Sequence, residues 1–264
     1  MSYFEAFILG IIQGITEFLP ISSTAHLIVF THFMGWNDFG KTYIDAIQLG
    51  SVFAVIIYFW TDLLKIGKGA IAAYKSQDWK REEWKLLVGV IFGTIPTLVI
   101  GFLLKDILPK EIGVIAIASI VMAILLGLSE RYGRRKRNFE SLEVKDGVLV
   151  GLAQSLALVP GVSRSGSTLT AGLFLGLERD TAARFSFLLG LPTLAIVTAY
   201  QSLKVIKDID SFGVLAVGII SAFIFSYLAI AFLIEFLKTK STWVFVWYRL
   251  AFGGTLLIAS FLGK

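Results

Sequence analysis

Six stretches of about 20 mostly apolar residues run through this chain, at 43–60, 86–104, 112–128, 183–200, 212–236 and 243–262. A stretch of that length and character folds as a helix across a bilayer, because lipid offers no other partner for the backbone N–H and C=O groups. Two further apolar stretches, 3–19 and 147–159, end at Pro20 and Pro160, where the ring and the missing N–H stop a helix. Each then passes through a Ser/Thr/Gly-rich turn into a short apolar run, at 26–33 and 169–177. This pattern predicts a helix, a break and a half-helix, twice. Broken backbone survives at membrane depth only where it is buried in protein or lines a wet cavity, so both are expected to be re-entrant hairpins at a site.

The fold class expected is therefore an all-α integral membrane protein with an inverted-topology repeat, six transmembrane helices and two re-entrant helix-turn-helix hairpins. Composition agrees: of 264 residues 56% are hydrophobic and 16% charged, and the mean hydropathy is +0.79, which reads as a polytopic membrane protein. The net charge of +5 comes mostly from two stretches between apolar runs, as in a chain oriented by its basic loops, so nucleic acid is not an expected partner. With no cysteine, disulfides and thiolate metal sites are excluded. Glu5 stands where a cleavable signal would carry a basic region, so no such signal is expected.

The halves read as copies. Pro20 and Pro160, Ser23 and Ser163, and Gly50 and Gly190 are each 140 apart, and Gln13 and Gln154 are 141 apart. One membrane domain, 1–264, is expected, with internal repeats at approximately 1–135 and 136–264. Each half holds one hairpin and three spans, and three is odd, so the second copy lies upside down with its broken element facing the first near the midplane. Lys65, Lys68, Lys75, Lys80, Arg81, Lys85, Arg131, Arg134, Arg135, Lys136, Arg137, Lys145, Lys238 and Lys240 put fourteen cations on one side, against Lys41, Lys105, Lys110, Lys204, Lys207 and Lys264 on the other. The fourteen-charge side is expected to be cytoplasmic.

The two breaks carry different chemistry. In the first, Gln13 and Glu17 are four apart and share a helix face, and Ser22, Ser23, Thr24 and His26 follow just past Pro20. A carboxylate, hydroxyls and an imidazole thus gather in one turn, although Ser22 and Thr24 also suit simple capping of the half-helix and His26 suits packing. In the second, Pro160-Gly161-Val-Ser163-Arg164-Ser165-Gly166-Ser167-Thr168 combines a permissive turn, hydroxyls and a guanidinium at a helix start. That is an anion cradle, and Arg164 is suited to grip two phosphate oxygens. It also suits an ion pair with Glu17 that a substrate phosphate would compete for.

With these residues in view, Glu17-Phe-Leu-Pro-Ile-Ser-Ser-Thr-Ala-His26 and Pro160-Gly-Val-Ser-Arg-Ser-Gly-Ser-Thr168 resemble the two signature motifs of the undecaprenyl-diphosphate phosphatase (bacitracin resistance protein) family. Ile47-Gln48-Leu49-Gly50-Ser51 and Phe185-Ser-Phe-Leu-Leu fit as well, so the resemblance spans the chain. It implies a multi-pass enzyme of the bacterial inner membrane that hydrolyses a C55 polyprenyl diphosphate to the monophosphate carrier lipid used in cell-wall synthesis. A site facing the periplasmic side is also implied. By position, Glu17, Ser23, His26 and Arg164 would be catalytic, and Ser22, Thr24, Gln48, Ser163, Ser165, Thr168 and Gln13 would bind substrate. The resemblance also implies a divalent cation, Mg2+ or Ca2+, on Glu17 and the diphosphate. Ser23, His26 and water all stay open as the attacking group. Gln13 departs from the second acid common in the family, which puts a two-carboxylate metal site in doubt, and Ala25 replaces a usual glycine.

A transporter or flippase for lipid phosphates shares the inverted-repeat architecture and is the alternative reading. The unrelated lipid-phosphatase superfamily is disfavoured, because no histidine follows His32 to serve Ser163-Arg164. Arg249 in the last span is expected to snorkel or pair, Glu178–Thr181 to cap the helix from Ala182, and Gly89, Gly93, Thr97 and Gly101 to form a close-packing face. Small residues are abundant enough for a homodimer, and they pack internal helices equally well.

Overall fold

The computed structural model describes residues 1–36, 41–104, 111–205 and 211–262, with side chains 41, 42, 204 and 205 left out. The described residues form eleven α-helices: α1 Tyr3–Phe18, α2 Ser23–Phe33, α3 Lys41–Tyr58, α4 Trp60–Ser76, α5 Glu82–Leu104, α6 Ile112–Tyr132, α7 Val144–Ser155, α8 Arg164–Phe174, α9 Arg179–Val205, α10 Phe212–Thr239 and α11 Trp243–Phe261. The protein is an all-α integral membrane protein. Helices α5, α6, α9, α10 and α11 are each long and apolar enough to span a bilayer, and α3 with α4, bent by 65°, makes a sixth candidate.

The two hairpins are α1–α2 and α7–α8. Helix α1 starts on a reciprocal cap in which Ser2 and Glu5 bond each other's backbone N–H, and α7 starts on the same device built from Glu143 and Asp146. A 3-10 turn, Leu156–Leu158, closes α7 before Pro160. The half-helices begin earlier than expected, at Ser23 and Arg164 rather than at residues 26 and 169. Their first turns are polar, so hydropathy alone places the starts too late. Ser22 and Ser163 are the equivalent caps, which makes the offset at the turns 141, in line with Gln13 and Gln154.

Packing is reciprocal. Helix α1 lies along α10 as α7 lies along α5, α3 meets α9, and α6 meets α11. Lipid is as apolar as leucine, so helices associate by close contact rather than by escape from water, and glycine permits it. A Cβ on Gly151 would overlap the carbonyl oxygen of Gly93, and one on Gly147 would overlap that of Gly89. The expected glycine face of α5 is thus the seat of α7. Across the molecule, Gly10 and Gly14 of α1 press in the same way on the carbonyls of Gly218 and Ala222. Large apolar side chains such as Phe92, Ile117, Ile220 and Trp247 stay on the outer surface, as a lipid-facing wall requires.

Two expectations change here. The stretch 61–85 is not all loop, because it contains most of α4, whose polar residues hide a helix from a hydropathy reading. The segment 178–181 does more than cap: α9 starts at Arg179, whose guanidinium pairs with Glu130. Glu130 is 3% exposed and also accepts from Arg135 Nη1 (2.6 Å) and Thr242 Oγ1 (2.9 Å). Beside it Arg137 grips buried Asp146 with both Nη atoms, at 2.9 and 2.6 Å, a fork-on-fork contact that raises the guanidinium above its ordinary pKa. Arg137 therefore holds the second hairpin's base and Arg135 closes on the end of α6, each as well as adding to the basic face. Of the six opposing cations, Lys105, Lys110, Lys207 and Lys264 lie outside the described residues, as do the side chains of Lys41 and Lys204.

Gly151→Ala should overpack the α5–α7 seam and cost about 1–3 kcal/mol, lowering the thermal unfolding temperature in detergent. Gly254→Ala, where a Cβ meets nothing within 4 Å, is the control. Equal unfolding temperatures for the two variants would rule out this account of the seam.

Candidate active site

Two serines at the hairpin turns set the site. Ser22 and Ser163 hold φ values of 76° and 73°, a region side chains rarely adopt and one that structures keep mainly at functional sites. Each caps its half-helix: Ser22 Oγ accepts from the Ala25 N–H at 3.4 Å and Ser163 Oγ from the Gly166 N–H at 3.1 Å. The next residue, Ser23 in one hairpin and Arg164 in the other, is thereby turned towards the last turn of α1, where Glu17 sits.

Glu17 is 7% exposed, and its carboxylate is the hub. Oε2 accepts from Ser23 Oγ at 2.6 Å and from Gln13 Nε2 at 3.0 Å. Oε1 accepts from Arg164 Nη2 at 3.1 Å and from Gln48 Nε2 at 3.4 Å. Four donors from both halves thus meet the roughly four lone-pair positions of one carboxylate. Arg164 Nη1 is anchored on the Gly190 carbonyl at 2.8 Å, and Thr198 Oγ1 donates to Gln48 Oε1 at 3.3 Å. Helix α9 therefore steadies both Arg164 and Gln48. A Cβ on Gly190 would stand 3.0 Å from Arg164 Nη1, so a glycine there leaves the guanidinium its place.

These groups open onto a cavity of about 200 Å3, several times the roughly 30 Å3 that a water occupies in the liquid. It has room for a small polar headgroup. Glu17, Ser22, Ser23, Thr24, Gln48, Ser163 and Arg164 are among its polar lining, and Ala157, Leu158, Val159, Leu194 and Val197 are its apolar lining. Val197 is 39% exposed on the outer surface, so the apolar wall runs out towards lipid. The starts of α2 and α8 both face the cavity, adding the partial positive charge of two helix N-termini to that of Arg164. The arrangement can hold an anion and supplies a hydroxyl hydrogen-bonded to a carboxylate.

The other expected site residues lie outside this lining. Gln13 stands behind Glu17. Ser165 Oγ donates to the carbonyls of Glu17 (3.3 Å) and Leu19 (3.0 Å), tying one hairpin to the other. Thr168 Oγ1 donates to the Arg164 carbonyl at 2.8 Å and bonds Ser186 Oγ on α9. His26 faces away: Nδ1 lies 2.7 Å from the Ser22 carbonyl and Nε2 lies 2.6 Å from the Tyr248 hydroxyl. Its ring stacks on Phe252 at 4.4 Å.

Sequence reasoning missed three further lining residues: Gln154 Nε2 donates to Thr193 Oγ1 at 3.0 Å and Thr97 Oγ1 at 3.2 Å, leaving its buried Oε1 without a partner among the described residues. The signal was present, since Gln154 is the repeat counterpart of Gln13. Arg249 also differs from expectation. It is 1% exposed, does not snorkel and pairs with no acid among the described residues, donating instead to four backbone carbonyls.

No group of three or more His, Cys, Asp or Glu able to hold a metal gathers among the described residues. Glu17, with neutral oxygens around it, is no closed cage. One carboxylate does fit Mg2+, which favours one or two carboxylates, substrate phosphates and retained waters.

The family model for "Bacitracin resistance protein BacA" matches residues 6–255. The undecaprenyl-diphosphatase of Thermosynechococcus vestitus is 53% identical over 266 residues, spanning 99% of this chain and 97% of its own length. That of Trichormus variabilis is 52% identical over 271 residues, 97% of this chain and 83% of the relative. The Synechocystis protein of the same name is 52% identical over 274 residues, covering 100% and 84%.

Proposed function

The chain belongs to the bacitracin resistance protein BacA family, and on that footing we propose that it hydrolyses undecaprenyl diphosphate to undecaprenyl phosphate and inorganic phosphate. The observation that carries the reading is the 3.1 Å contact between Glu17 and Arg164 across the two hairpins, beside a headgroup-sized cavity with an apolar wall. A diphosphate would enter with its phosphates towards the two helix starts and its isoprenyl chain along Leu158, Leu194 and Val197. The transporter reading is not favoured, because relatives named undecaprenyl-diphosphatase match along the whole chain.

Arg164 pairs with Glu17 through Nη2 while Nη1 is held by Gly190. The terminal phosphate competes for the guanidinium, and the carboxylate keeps its bonds to Ser23, Gln13 and Gln48. Ser23 Oγ then attacks the terminal phosphorus while Glu17 takes the hydroxyl proton. The P–O bond to the bridging oxygen breaks, and undecaprenyl phosphate leaves with the electron pair and takes up the proton held by Glu17, which is a carboxylate again. Water attacks the phosphoserine as its proton passes to Glu17; the Ser23–phosphate bond breaks, Glu17 returns that proton to Ser23 Oγ, and phosphate is released with the hydroxyl restored. Arg164 and the N–H groups opening α2 and α8 stabilise the charge that develops on the phosphoryl oxygens. A divalent ion, Mg2+ by preference, would be held by Glu17 together with the diphosphate oxygens, and when bound would neutralise the leaving phosphate. His26, with both ring nitrogens engaged elsewhere, would steady the Ser22 turn.

The protein resides in the bacterial inner membrane, with the fourteen-cation face in the cytoplasm and the site opening to the periplasmic side. There it would return the carrier lipid to cell-wall synthesis.

Purified protein should release phosphate from C55 diphosphate, and no release would end the reading. Arg164→Ala should lower kcat by roughly 100- to 1000-fold, and Ser23→Ala by at least about 1000-fold. Rapid quenching should trap acid-stable phosphoserine at Ser23, whereas acid-labile phosphohistidine at His26 would assign the attack to the imidazole. Gln13→Glu sets a second carboxylate beside Glu17. It should lower the Mg2+ concentration needed for half-maximal activity and weaken the metal-free protein to heat through like-charge repulsion. An unchanged metal requirement would argue against a cation on Glu17.

A further inference from the structure

The buried guanidinium of Arg249 has no acidic partner among the described ion pairs, and its contacts fall on both hairpin turns at once. Nη1 donates to the Pro20 carbonyl at 2.9 Å, and Nη2 donates to the carbonyls of Gly161 at 2.7 Å and Val162 at 3.0 Å. Nε donates to the Ser119 carbonyl of α6 at 3.3 Å. Pro20 lies two residues before Ser22 and Val162 one before Ser163, the two serines held at positive φ. A Cβ on Gly166 would come within 3.0 Å of Arg249 Nη1, so the start of α8 is shaped around this side chain.

We propose that Arg249 is a positioning residue for hydrolysis, a planar fork that locks both turns and thereby sets Ser23 and Glu17 against Arg164. The inference rests on the diphosphatase reading and adds to it a group outside the cavity lining. Turn carbonyls at membrane depth have no water to bond, and a residue at φ near 75° relaxes unless its surroundings over-determine it. The fork does both: it satisfies the carbonyls on either side and fixes how far apart the turns stand. Lysine cannot reproduce it, because a single ammonium lacks the flat, divergent donors that reach separate carbonyls.

Arg249→Lys, which keeps the charge, is compared with wild type by phosphate release from C55 diphosphate in detergent. The expected result is a kcat lower on the order of 100-fold, the scale of an ångström's misplacement of reacting groups, with KM near wild type. Ser22→Gly added to Arg249→Lys should restore part of kcat, because glycine holds positive φ without the lock and costs little as an N-cap. Where Arg249→Lys does not purify folded, Gly166→Ala, which pushes on the guanidinium, takes its place and should show the same fall in kcat at near-constant KM. A folded variant with wild-type kcat overturns the proposal. So does a loss that falls on KM, or one that Ser22→Gly leaves untouched, since a merely structural arginine gives those results. An inactive wild-type protein overturns the diphosphatase reading instead, so the two failures are told apart.

Discussion

A helix broken inside a bilayer leaves carbonyls that water cannot reach, and the architecture is set by where those carbonyls find donors. The end of α1 bares the carbonyls of Glu17, Leu19 and Pro20, which are met by Ser165 and Arg249. The second turn bares those of Gly161 and Val162, which Arg249 meets as well. Each hairpin is therefore completed by groups from outside itself. Because an unmet carbonyl in a dry interior costs several kcal/mol, the two turns are held together through their backbone carbonyls by Ser165 and Arg249, neither of which lines the cavity. The meeting of Glu17 with Arg164 is a consequence of that closure.

Much of the fold was legible because bilayer-length apolar runs admit few alternatives. The parts that stayed hidden have physical causes. Helix α4 escaped notice because lysines along a helix read as loop when only hydropathy is scored. The first turns of α2 and α8 were placed too late for a related reason: a half-helix aimed at a polar site begins with polar residues. Proline was not a sufficient signal either. Pro96 and Pro192 sit inside α5 and α9, while Pro20 and Pro160 precede breaks. The difference lies in the residues just past the ring, since only Pro20 and Pro160 lead into serine turns with caps ready to start a new helix.

At the site, Glu17, Ser23 and Arg164 could be named in advance because an acid, a hydroxyl and a cation at membrane depth demand partners, whereas Gln48 was named only through the resemblance. His26 and Arg249 were harder to judge, for opposite reasons. His26 carries a chemically versatile ring, yet its neighbours Tyr248 and Phe252 come from α11, more than two hundred residues away, and draw it out of the cavity. Arg249 looked peripheral by its place in the last span, yet the pairing of α6 with α11 brings it under both turns. Thr97, Gln154 and Thr193 come from three helices whose relative register depends on the glycine seam between α5 and α7. No local pattern marks them as neighbours.

The two turns are alike in backbone and unlike in side chain, and that contrast gives the cavity its direction. Five residues before each capping serine stand Glu17 in one hairpin and Leu158 in the other, and the residue after each cap is Ser23 or Arg164. Two similar scaffolds thus present a carboxylate and hydroxyl against a guanidinium and an apolar wall. A symmetric pair would hold two anions or two cations in opposition and would favour neither end of a lipid diphosphate. Under the proposed function the asymmetric pair would sort the substrate: charge would be drawn between Arg164 and the helix starts, and the hydrocarbon left to Leu158 and the lipid-facing side of α9. On the proposed chemistry, Glu17 would be released for proton transfer only when an anion has taken its partner, so the ion pair of the resting site would also tie its activation to the arrival of a phosphate.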